Sequence, residues 1–176
     1  DQAFAGNRLL ATFPAESRAL IEPHATVVDL DLGSVVHASG QDVVTTYFPF
    51  GTTMISLCRD LADGRTVEVA SIGQEGAVGG IVSCGHAPAF ARAEVIVAGP
   101  ALRVPMDKLE EAKMGSGHIR NLFCRFSDFL LSQVMQSVAG NAFHPIEARA
   151  AQSAMDEVSA MLDHAAVLEG PLRRTK

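Results

Sequence analysis

At 176 residues, 48% of them hydrophobic and 19% charged, the chain can build one ordered domain with a sizeable core and a helical appendage, but not two full domains. No run approaches the ~20 uninterrupted apolar residues of a membrane span, and no basic segment leads into an apolar one at the start, so a cytoplasmic protein off the membrane is expected. A net charge of −6 disfavours a domain that neutralises nucleic-acid phosphates, which needs a basic face.

The opening stretch carries Phe4, Leu9, Leu10 and Phe13, and Pro14 then leads into Leu20 and Ile21. This predicts two short helices, the second begun by Pro14. From Ala25 the texture changes to β-branched runs of period two cut by glycines: 27–32, 35–37, 43–48, 53–57 and 66–72, with a turn at Ala62-Asp63-Gly64-Arg65. Short strands this closely spaced predict a barrel, roll or sandwich. Glycines at 73, 76, 79, 80 and 85 then require sharp bends or close approaches, as a binding loop would. Strands over 93–98 and 101–104 flank Gly99-Pro100, and Pro105 begins another short helix.

After Gly115-Ser116-Gly117 the period turns helical. Ile119, Leu122, Phe123, Phe126, Phe129, Leu130, Val134 and Val138 step by three and four, and Leu131 and Met135 widen the stripe. A helix of about 24 residues extends roughly 36 Å, more than one small domain covers, so this stripe is expected to be shared between two subunits of a homodimer. A break at Gly140-Asn141 and His144-Pro145 is expected before a second helical stretch over 146–168 and a basic tail, Arg173-Arg174-Thr175-Lys176. The chain divides accordingly into a β-unit at 1–116 and a helical unit at 117–176.

Chemistry-bearing patterns are few. Cys58, Cys84 and Cys124 are odd in number and far apart, with no Cys-x-x-Cys, which argues for free thiols in a reducing compartment. Cys84-x-His86 with His37 is too sparse for a metal centre, no His-x-His supports a cupin-like enzyme, and neither Gly-x-Ser-x-Gly nor a phosphate-binding glycine loop occurs. No catalytic group and no metal is expected.

The series Leu32 to Gln41, Tyr47 to Gly51, Ile55-Ser56-Leu57, Asp63 to Val69, Ile72 to Gly76 and Val97 to Pro105, closed by Asn141 to Arg149, resembles the sensory half of the Crp/Fnr family of transcription regulators over roughly 7–150. The resemblance implies an α+β fold, mainly β: a double-stranded, jelly-roll-like β-roll of the cyclic-nucleotide-binding type followed by a long dimerisation helix. It also implies a phosphate-binding cassette, which maps to 76–93, with Gly76, Gly79, Gly80, Arg92 and Ala93 as candidate ligand-binding residues. A guanidinium beside backbone N–H groups suits one phosphate charge. Arg92 stands where the family's arginine is expected, but Ala93 replaces a hydroxyl, and Gly79-Gly80-Ile81 replaces the family's Gly-Glu pair. Each missing anchor costs about 1–3 kcal/mol, so cyclic-nucleotide affinity is expected to fall a hundredfold or more. Arg92 also has an ion pair with Glu75 or Glu94 open to it, and the glycines also suit simple close packing.

The family continues into a winged helix-turn-helix of roughly 60 residues, about twice the length of chain after His144, and 151–168 reads as one acidic helix. No DNA-reading head, and no direct DNA binding, is expected of this chain. Three readings are open: a sensory and dimerising module for a small anionic ligand held by Arg92; a ligand-free dimerising module that modulates an intact regulator; and, least favoured, a cupin-like enzyme.

Overall fold

The computed structural model describes residues 2–81 and 88–143. The segments 82–87 and 144–176 lie outside the described residues, and with them Cys84, His86, the second helical stretch and the basic tail.

Three short helices, α1 (Gln2–Gly6), α2 (Arg8–Ala11) and α3 (Ala15–Ile21), precede seven strands. The first expected helix is thus two. They are split at Asn7, whose side chain caps α2 by accepting from Leu10 N at 3.1 Å. Fully buried, Asn7 also donates through Nδ2 to the carbonyls of Pro49 (2.7 Å) and Gly76 (2.8 Å). One amide thereby ties the helical start to the roll, with its polar atoms paired as burial requires.

The strands are β1 (Thr26–Leu30), β2 (Val35–His37), β3 (Thr45–Pro49), β4 (Met54–Asp60), β5 (Thr66–Ile72), β6 (Arg92–Val97) and β7 (Gly99–Pro105). They form two antiparallel sheets, ordered β1-β7-β3 and β2-β6-β4-β5. In the second sheet Ile55 lies opposite Ile72 and Val95, and Leu57 opposite Ala70 and Ala93. All six are buried, and together they form the inner face. Ser56, Cys58, Glu68, Ser71, Arg92 and Glu94 pair on the other face, as the two-residue alternation of a strand demands. Phe48, Leu102 and Val104 of the first sheet complete the core.

Helix α4 (Met106–Gly115) leads into α5 (Gly117–Phe143). At 27 residues, α5 runs through the expected break at Gly140-Asn141 and reaches Phe143. A glycine inside a helix costs only ~1 kcal/mol, which the preceding turns outweigh. Ile119, Leu122, Phe123, Phe126 and Leu130 are at most 6% exposed, and the Phe123 ring meets Phe48 edge-on at 6.3 Å. These five, expected along a helix shared between subunits, are buried in the chain's own core. Phe129 and Val134 are half-buried against that core, whereas Leu131, Met135 and Val138 are exposed.

Candidate functional site

A cavity of about 60 Å³ opens on the inner face of the second sheet. His37 of β2, Leu57 of β4, Ile72 of β5 and Leu130 of α5 contribute to its wall, with Gly79 and Gly80 from the segment after β5. Among the described residues that wall carries no charged side chain, and His37 is its one polar side chain. The Nδ1 atom of His37 is buried with no hydrogen-bond partner among the described residues. Burial pushes the imidazole below its usual pKa, because a charged ring loses its hydration there. It is therefore neutral at pH 7.

The candidate residues divide. Gly79 and Gly80 do shape the cavity, at φ +99° and +61°, a left-handed backbone that other residues enter only under strain. A Cβ on Gly79 would run into the Thr45 carbonyl oxygen, and one on Gly80 into the Met106 side chain. Gly76 lies behind the wall, where a Cβ would come within 2.5 Å of the Phe126 ring. It is a packing glycine that lets α5 approach. Ala93 is fully buried on the inner face of β6 but outside the lining.

Arg92 is elsewhere. One residue before Ala93, it falls on the outer face of the sheet, outside the cavity lining. There its guanidinium bonds Glu94 and lies 3.8 Å from Asp60. Of the two acids that the sequence offered it, the i+2 neighbour on the same strand face is the one it takes; Asp60, at the end of the adjacent β4, is the addition. Around it Ser56 donates to Glu68 and lies 3.2 Å from the Cys58 sulfur, and Ser71 donates to Glu68.

Two residues tie the cavity to its surroundings: Leu130, read in the sequence as part of the helix stripe, and Lys113, which the sequence did not single out. Leu130 brings α5 into the wall. Lys113 of α4 is buried, donates to the Gly80 carbonyl (3.1 Å) and to Glu110 (2.8 Å), and stands 4.9 Å from the centre of the Phe123 ring. Rim and helix are thus held by one ammonium. A buried lysine between two helices and a glycine loop carries no signal in the sequence.

The two sheets, the cavity between strands and helix, and α5 across one end define a β-roll of the cyclic-nucleotide-binding-domain type. The comparisons agree. The N-terminal domain of a transcriptional regulator from Streptomyces coelicolor A3(2) aligns with a TM-score of 0.55 at 17% identity, over 82% of this chain and 96% of that one. CLP, the c-di-GMP responsive global regulator of Xanthomonas campestris, aligns with a TM-score of 0.65 at 14% identity, over 81% and 72%. FixK2 of Bradyrhizobium japonicum aligns with a TM-score of 0.57 at 17% identity, over 65% of this chain and 56% of that one. Identities this low establish the fold, and at that level the Crp/Fnr resemblance holds. No family model matches the sequence, and no curated protein does. Among the described residues no helix is long and apolar enough to cross a membrane.

Proposed function

We propose that this chain is the sensory and dimerisation module of a transcription regulator, in which the state of the inner cavity is passed to a partner subunit through α5. The observation that carries this reading is the division of one helical turn. Leu130 belongs to the cavity wall while its neighbour Leu131, with Met135 and Val138, offers an apolar strip to solvent. A helix that touches both a cavity and a second subunit is what a two-state relay requires. Fold similarity to regulators, one of them described as responsive to c-di-GMP, supports the setting.

The anionic-ligand form of this reading loses its anchor, because Arg92 is engaged by Glu94 and Asp60 away from the cavity. That arrangement equally suits a ligand-free module acting on an intact relative, which stands as the second reading; the open cavity favours the first. Sedimentation equilibrium tests the dimer. The chain is expected to sediment as a dimer, and Leu131→Glu with Met135→Glu is expected to give a folded monomer, since two carboxylates cannot be buried unpaired in an apolar interface. A wild-type chain that stays monomeric at every concentration contradicts the proposal.

A further inference from the structure

The described part of the cavity wall has the reverse of a nucleotide site's chemistry. A phosphate needs cations or several N–H donors, and a ribose needs a carboxylate or amide. Among the described residues the wall supplies aliphatic side chains, glycines, one phenylalanine and one imidazole. Building on the sensory reading above, we infer that this cavity binds a small neutral apolar molecule carrying a single hydroxyl, with His37 as its polar anchor.

Three observations bear on this. First, an apolar wall recovers no free energy from an anion, which gives up its hydration on entry, whereas an uncharged hydrocarbon body gains by leaving water. Second, His37 belongs to the wall through β2, opposite Ala93 of β6. Its ring, neutral through burial, has one donor and one acceptor nitrogen, and Nδ1 lacks a partner among the described residues. A hydroxyl both donates and accepts, so it pairs with either tautomer. Third, at about 60 Å³ the space has room for about two waters at their liquid volume. An aromatic ring needs more, roughly the 150 Å³ of the engineered cavities that take up benzene. The ring enters only as a movable wall group yields, and Leu130 is the wall group that α5 supplies. Occupancy and helix position are then linked, since a ligand that binds one arrangement of Leu130 shifts the population toward it.

The test uses phenol and its isostere toluene, each titrated against the thermal stability of the chain, with sedimentation of the same samples. Phenol is expected to raise the melting temperature saturably and more than toluene. His37→Leu should weaken phenol about fivefold, as the loss of one hydrogen bond does, and leave toluene unchanged. Leu130→Ala, which enlarges the cavity, should tighten both several-fold and serves as the readout where His37→Leu fails to fold. Equal responses to phenol and toluene in the wild type, or no saturable response in either the wild type or Leu130→Ala, overturns the inference. If the chain is a dimer without saturable phenol binding, the ligand inference fails while the dimer reading survives. If it is a monomer that binds phenol saturably, the site stands and the dimer reading fails.

Discussion

The two faces of the four-stranded sheet are written in the same strands one residue apart, yet they do opposite things. On the inner face Ile55, Leu57, Ile72 and Val95 build the core and the cavity wall; on the outer face of the same strands Ser56 bonds Glu68 and Arg92 bonds Glu94. An arginine reaches a ligand inside the roll only from the right face. The comparison teaches that a motif residue's place in sequence does not fix its chemistry until the strand register does.

The largest effect that sharpens this comparison is expected from adjacent residues of β4. Leu57→Ala should cost about 3 kcal/mol in urea unfolding, because it empties space at a cavity wall. Cys58→Ala, which removes one sulfur from the outer face, should cost less than about 1 kcal/mol; equal losses would mean that the faces are not distinct. Next, Gly79→Ala should cost about 2 kcal/mol from left-handed backbone strain alone, with the Thr45 carbonyl adding to it. A neutral outcome would place the rim elsewhere than described.

A smaller effect concerns pH. The folded-state pKa of His37 lies below its unfolded value, so the unfolded chain binds the extra proton. Its contribution to stability is fully present above about pH 6.5 and is lost as pH falls from there toward the folded pKa. Denaturation midpoints followed on acidification should therefore fall more steeply for the wild type than for His37→Leu. Parallel profiles would show that His37 is not a buried neutral group.

Much of the roll was legible in the sequence. Alternation and glycine spacing predicted seven strands within two or three residues of those found, because a half-buried strand must alternate and its turns need glycine. The stripe on α5 was legible as a stripe. Its split into core and exposed halves was not, since a period of 3.6 reports an apolar face without saying what covers it. The position of Arg92 outside the cavity lining was not legible for a related reason. The stretch from Gly73 to Ala91 lacks any period that would carry register forward, and irregularities at Val35/His37, Met54/Ile55 and Leu57/Cys58 interrupt the ladders around it. Asn7, Lys113 and the cavity role of His37 depend on contacts between distant segments, which local pattern does not encode.

The most direct test of the central claim, that the cavity wall among the described residues carries no charged side chain and that Arg92 lies outside it, is thermal unfolding with and without millimolar cyclic AMP for the wild type and Arg92→Ala. A ligand that binds only the folded state at 100 times its dissociation constant adds about 2.7 kcal/mol, so a working site cannot hide. The account predicts no shift in either protein; a wild-type shift abolished by Arg92→Ala would contradict it.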